Sequence, residues 1–147
     1  MRTLKFVFIV LCLFAVSGCS CRTREIADDA AIPVAGEESV LEDIFFAFDS
    51  YSLCDKSKET LQAHAEWLKA NPEASVTIEG HCDERGTNEY NMALGSRRAN
   101  SAMEYLISLG VDASRMSTIS YGEDLPLDPA HTEEAWAKNR RDHFVVK

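Results

Sequence analysis

Gly80-His81-Cys82-Asp83-Glu84-Arg85-Gly86-Thr87-Asn88-Glu89-Tyr90-Asn91-Met92-Ala93-Leu94-Gly95-Ser96-Arg97-Arg98-Ala99 is where the pattern of the chain changes. Upstream, Ser75 to Gly80 alternates with Val76 and Ile78 on one face, the two-residue period of a strand. Downstream, Ala99, Ala102, Met103 and Leu106 recur at helical spacing, which predicts a helix to about Leu109. Asn88 is expected to cap that helix and Gly110 to end it. Between strand and helix the chain crosses a polar turn at Gly86. The corner carries an acid, Asp83, and a pair of bases, Arg97 and Arg98. Such a strand-loop-helix corner can bind a group that carries both signs of charge.

Working outward, Ile44-Phe45-Phe46-Ala47-Phe48 reads as a short buried strand, broken by Asp49-Ser50. Lys56 to Ala70 places Leu61, Ala65 and Leu68 at i, i+4 and i+7. That is an amphipathic helix, stopped before Asn71-Pro72. Trp67 is assigned to the core or its edge. Met116 to Tyr121 predicts a third strand, Gly122 to His131 a loop with two prolines, Thr132 to Lys138 a short helix, and Phe144-Val145-Val146 a final strand. The order strand, helix, strand, helix, strand, short helix, strand indicates an α/β (α+β) sandwich with helices packed on a sheet. No internal repeat is present.

The first residues have a different character. Arg2 and Lys5 precede an apolar run from Phe6 to Val16, of the length of a signal-peptide core and short for a membrane span. Val16-Ser17-Gly18-Cys19 resembles a bacterial lipobox, in which the cysteine is acylated on sulfur and becomes the new N-terminus. Ser20 rather than Asp follows it, which by the lipoprotein sorting rule directs the product to the outer membrane. The expected organisation is therefore a signal peptide over 1–18, a lipidated Cys19 with a tether over 19–40, and one domain over 41–147. The tether is polar and too poor in apolar residues to build a core. Fully extended, about twenty residues reach roughly 70 Å.

Of 147 residues, 15 are Lys or Arg and 24 are Asp or Glu, for a net charge of -9. Without Arg2 and Lys5 there are 13 bases against 24 acids, or -11. This balance argues against nucleic acid as a partner. No cofactor is indicated. His81, His64, Cys54 and Cys82 lack the short paired spacings of a zinc site, and no nucleophile signature is present, so the chain offers no catalytic set. Asp83 and Glu84 are adjacent, a poor arrangement for flanking a glycosidic bond. His81 reads as a hydrogen-bonding framework residue at a strand end. Spacing alone favours the plain reading of the charges, with Asp83 paired to Arg85 or capping a turn and Arg97 and Arg98 solvated. Cys21, Cys54 and Cys82 remain after Cys12 leaves with the signal and Cys19 takes the lipid. Cys54 and Cys82 both follow predicted strand ends, so either a Cys54–Cys82 disulfide or free thiols that cross-link chains is expected.

Taken together, the lipobox, the tether, Phe48-Asp49, Gly80-His81-x-Asp83-Glu84-Arg85-Gly86-Thr87, Tyr90-Asn91-x-Ala93-Leu94-Gly95-x-Arg97-Arg98-Ala99, Ser120-Tyr121-Gly122-Glu123 and Asn139-Arg140-Arg141 resemble the peptidoglycan-associated lipoproteins. The folded part of that family is an OmpA-like C-terminal domain, a βαβαβ-type fold with helices on a mixed sheet. The resemblance implies a non-enzymatic protein that binds the meso-diaminopimelate residue of the peptidoglycan stem peptide and ties the outer membrane to the wall. It also implies a partner, the propeller protein TolB of the Tol system. By motif position, Asp83 would take the ammonium of diaminopimelate and Arg98 its carboxylate. Asp49, Asn91 and Leu94 match pocket positions, and Asn139 and Arg141 belong to the late motif. Three positions depart from the family pattern: Cys82 stands for a small residue, Asn88 for a proline, and Asp142-His143 for apolar residues of the last strand.

Overall fold

Ile44 and Phe45 form the whole of the first strand, β1, in the computed structural model, which describes residues 40–147. The predicted strand ran to Phe48. Phe46 still lies in the core and donates its N–H to the Arg140 carbonyl at 2.9 Å. Asp49 then adopts a left-handed backbone (φ 52°) and turns the chain, leaving Phe48 mostly exposed. The signal peptide, the lipobox with Cys19, Cys21 and the tether lie outside the described residues.

Helix α1 spans Asp55–Ala70. It starts one residue before the expected position because Cys54 caps it, its sulfur accepting the Ser57 N–H at 3.4 Å. Leu61, Ala65 and Leu68 are buried as their spacing predicts, and Trp67 packs at the core edge. Strand β2, Val76–His81, and helix α2, Asn88–Ser108, follow. The cap of α2 is Thr87, not Asn88: the Thr87 hydroxyl accepts the Tyr90 N–H at 3.2 Å. Asn88 is the first helical residue, and its side-chain amide reaches Asp124 instead. At the other end, Gly110 takes φ 91°. Its N–H bonds the Ile107 carbonyl and the Val111 N–H bonds that of Leu106, the paired bonds of a Schellman stop. Strand β3 is Met116–Gly122, helix α3 is Glu133–Asn139 with Thr132 as its cap, and strand β4 is Arg141–Val146. The last strand starts three residues earlier than its apolar run suggested.

The sheet order is β1-β4-β2-β3. Strand β4 is antiparallel to both neighbours and β3 is parallel to β2, so the expected sandwich of helices on a mixed sheet is the observed fold. Ile44, Val76, Ile78 and Phe144 face Leu61 and Leu68 of α1 and Ala99, Ala102 and Leu106 of α2 in one continuous core. Each fully buried large apolar side chain there contributes about 1.5–3 kcal/mol. The opposite sheet face carries Phe45, Glu79, His143 and Ile119, alternating with the core residues.

Candidate functional site

The C-terminal end of β2, the turn after β1, the N-terminal half of α2 and the junction between α3 and β4 meet at one end of the sheet. This follows from topology, since β4 begins where its antiparallel partner β2 ends. Backbone contact between β2 and α2 sets the spacing. Gly80 faces Gly95 so closely that a Cβ on either would collide with the other's backbone. The helix therefore lies low over the strand end, and Arg98, one turn further along α2, reaches under the loop.

A cavity of about 210 Å³ opens at this junction. Asp49, Cys82, Asp83, Asn91, Leu94 and Arg98 line it, together with Phe48, Arg85, Tyr90 and Arg140. The pocket positions Asp49, Asp83, Asn91, Leu94 and Arg98 are thus brought together. Residues separated by about fifty positions in the chain share one wall through the turn at Asp49.

Arg98 is fully buried. Its Nε donates to the Ser50 carbonyl (2.8 Å), Nη1 to the His81 carbonyl (2.8 Å) and to the Cys82 sulfur (3.4 Å), and Nη2 to the Ala47 carbonyl (3.2 Å). Four of its five N–H groups are so engaged, which leaves one on Nη2. Burial holds its pKa below the usual value. It is a fixed cation with a single remaining donor, not an open fork.

Asp83 makes no bond to Arg98. Its carboxylate is held by Arg85, with Nη2 at 2.7 Å and Nε at 3.2 Å, and by Arg140 Nη1 at 3.0 Å. Burial pushes the Asp83 pKa up, but these bonds outweigh it and the carboxyl sits below its ordinary range. The plain sequence reading, Asp83 with Arg85, is therefore a contact of this structure. Arg85 is itself stacked between the rings of Phe48 (4.0 Å) and Trp136 (4.3 Å). Asn91 is buried and donates to the Asp83 and Arg85 carbonyls at 3.1 and 3.3 Å and to Glu123, pinning the loop to α2. At the rim, the Tyr90 hydroxyl donates to the Asp49 carboxylate.

Several expectations are corrected. Asn139 does not line the cavity; its amide holds the loop before α3, accepting the Asp128 N–H at 2.9 Å and donating to its carbonyl at 2.8 Å. Arg141 lies on the opposite sheet face beside Asp43, with Nε at 3.3 Å from its carboxylate. The reason is the strand period: Phe144 and Asp142 face the helices, so Arg141 and His143 face away. Arg140 is the member of the late motif that reaches the cavity. Extending the alternation back from Phe144 would have removed Arg141, and the neighbouring arginine was then the remaining choice. The Cys54–Cys82 disulfide is absent and both thiols are free. Their strands are not neighbours, because β4 separates β1 from β2. Cys82 is buried between Arg98 and the Asn91 carbonyl, so only Cys54, of these two, is open to another chain. His81 contributes its carbonyl, not its ring, to the framework. Neither ring nitrogen has a hydrogen-bond partner, and the ring stacks on Tyr121.

A family model described as the OmpA family matches residues 45–140. The chain is 40% identical over 146 residues to a peptidoglycan-associated lipoprotein of Haemophilus influenzae, covering 95% of each chain. Among solved structures, the peptidoglycan-associated lipoprotein from Burkholderia pseudomallei is similar with a TM-score of 0.70 at 43% identity, covering 71% of this chain and 89% of that one. The C-terminal domain of Helicobacter pylori MotB, at 21% identity, a TM-score of 0.68 and coverage of 72% and 84%, shares the fold.

Proposed function

The chain belongs to the OmpA family, in the branch of the peptidoglycan-associated lipoproteins, and from that premise we propose that it is a non-enzymatic outer-membrane lipoprotein whose cavity holds the diaminopimelate end of a peptidoglycan stem peptide. The observation that carries this reading is the presence of both signs of charge on one small cavity, which Asp49, Asp83 and Arg98 all line. A free amino-acid end presents an ammonium and a carboxylate on one carbon. Arg98 takes the carboxylate through its remaining N–H, the acids take the ammonium, and Leu94 packs against the methylene chain. A lysine-type stem brings the ammonium without the carboxylate and forgoes the charged bond to Arg98, worth about 1.5–3 kcal/mol. Acylation of Cys19 would hold the protein to the membrane.

A protein partner, the TolB-type propeller that the family resemblance implies, is a second reading for the same face. Phe48 and Tyr90 stand exposed at the cavity mouth, with Tyr51 exposed nearby in sequence, and such apolar surface is characteristic of interaction sites. The deciding experiment is co-sedimentation of the purified protein with diaminopimelate-type and lysine-type sacculi in the absence of any partner. Retention on the first and not the second is expected, and Asp83→Asn should abolish it. Failure of the folded parent protein to sediment with either would overturn the wall-binding reading and leave the protein partner.

A further inference from the structure

Asp83 has no room for a ligand. A carboxylate offers about four lone-pair positions, and here all are taken. Oδ1 accepts the Arg85 backbone N–H at 3.1 Å and Arg85 Nε at 3.2 Å. Oδ2 accepts Arg85 Nη2 at 2.7 Å and Arg140 Nη1 at 3.0 Å. The Asp83 side chain is only 4% exposed. An ammonium reaches it only by displacing a guanidinium.

The two guanidiniums differ in how readily they leave. Arg140 is 8% exposed and tied also to the Phe46 carbonyl at 3.2 Å and to Glu133 at 2.9 Å. Arg85 is 30% exposed. It has a second carboxylate within reach, since its Nη1 donates to Glu133 at 3.2 Å. It also rests between two rings that hold a cation whether or not Asp83 does. Arg85 can therefore release Asp83 and keep its other partners.

We propose that Arg85 is an internal competitor in the cavity, a cation that occupies the ammonium position on Asp83 and sets the affinity threshold an incoming amine must exceed. This rests on the cavity being the diaminopimelate site. An amine alone exchanges one cation for another at Asp83 and loses a two-point fork in doing so. An amine with a carboxylate on the same carbon adds an attraction to the Arg98 cation that lines the cavity, which the internal cation cannot supply. Arg85 thus lowers the affinity of every amine by the same factor, and the added attraction to Arg98 is what separates the two-charge end from an amine alone.

The test is titration of the full-length chain, purified from membranes in detergent, with two synthetic stem peptides, one carrying meso-diaminopimelate and one carrying lysine. The parent should prefer the first. In Arg85→Gln, both peptides should bind roughly tenfold tighter than to the parent, with the preference between them unchanged. Arg85→Lys, which keeps a cation but loses the two-point fork, should tighten both peptides by a smaller factor. A proportional loss of affinity for both peptides in Arg85→Gln would make Arg85 a direct ligand contact and overturn the proposal. So would unchanged affinity for both peptides in the two folded variants. A parent that binds neither peptide instead removes the cavity assignment itself, and the role of Arg85 with it.

Discussion

A Cβ placed on Gly80 would lie 2.0 Å from the carbonyl oxygen of Gly95, so strand β2 and helix α2 touch backbone to backbone directly beneath the cavity. Both residues are glycine because nothing larger fits between these two chains. The same approach brings the Arg98 guanidinium within 2.8 Å of the His81 carbonyl. The contact between two glycines therefore fixes where the cation sits.

Gly80→Ala must push α2 away from the sheet, since the obstructing atoms are backbone and cannot rotate aside. Overpacking of this kind costs about 1–3 kcal/mol. Urea unfolding of the variant is expected to show a loss at the upper end of that range. Binding to sacculi should fall further than stability alone explains, because Arg98 moves with the helix. A variant as stable as the parent would show that α2 lifts off β2 without penalty.

Arg98→Lys tests whether Arg98 is a structural hub as well as a ligand contact. A lysine ammonium has three donors on a flexible stem. It cannot reach the carbonyls of Ala47, Ser50 and His81 together, as the guanidinium does. Of these only the His81 carbonyl is buried, and leaving it unpaired costs about 1–3 kcal/mol. The variant should therefore unfold at a clearly lower denaturant midpoint as well as lose wall binding. Asp83→Asn, which keeps the shape of the side chain, should lose binding with the smaller stability change. Equal midpoints for Arg98→Lys and the parent would show that the turn after β1 stands without Arg98.

The element order was legible because its marks are local: the alternation of Val76 and Ile78, the spacing of Leu61, Ala65 and Leu68, and the stop at Gly110. The site was legible in part. Asp83, Asn91, Leu94 and Arg98 are tied by one short segment and Asp49 by its family position, and all line the cavity. What stayed hidden depends on which strands become neighbours and which way a side chain turns. Insertion of β4 between β1 and β2 separates Cys54 from Cys82. The phase of β4 sends Arg141 to the far face and leaves Arg140 at the cavity. Saturation of Asp83 by two arginines, and the use of most Arg98 donors on carbonyls, are properties of packing that no spacing records.

Acid should destabilise the fold through two histidines. Burial lowers the pKa of His64 to about 4 and that of His81 to about 3, from the ordinary 6.5. Their folded forms stay neutral while the unfolded chain takes up protons. The stability they contribute is present above pH 6.5 and is lost as pH falls toward 4 and 3. His143 has the opposite sign. Its bond to Asp43 raises its pKa, so its contribution is present below 6.5 and fades only as pH rises past that raised value. It does not offset the acid loss. His64→Phe keeps the buried ring beside Phe144 and should flatten the slope between pH 6.5 and 4. An unchanged slope would place the acid sensitivity elsewhere.

The two thiols of the domain should differ sharply in reactivity. Cys54 is exposed, and its hydrogen bonds with Ser57 lower its pKa. Burial raises the pKa of Cys82 to about 11, and its sulfur is shielded by Arg98 and Asn91. Iodoacetamide at neutral pH should label Cys54 within minutes and Cys82 only after denaturant is added, as peptide mapping by mass spectrometry will show. Comparable labelling of both in the native protein would mean that the loop over Cys82 opens.

Asp142 is a buried acid with neither oxygen hydrogen-bonded. It faces the helices from β4, opposite Gly80, and burial raises its pKa well above 3.8 despite the field of Arg98. Its sign follows directly. Above pH 3.8 the unfolded chain ionises this group while the folded chain keeps the proton, so the stability associated with it is present in acid and is lost as pH rises toward the folded value. Asp142→Asn replaces the neutral acid with a neutral amide of the same shape and removes that proton uptake. Its urea midpoint should exceed that of the parent at pH 7 and match it at pH 3. A lower midpoint at pH 7 would show the opposite state, an ionised Asp142 held by the charge of Arg98. The buried arginine would then owe its position to the acid beneath it as well as to the carbonyls above.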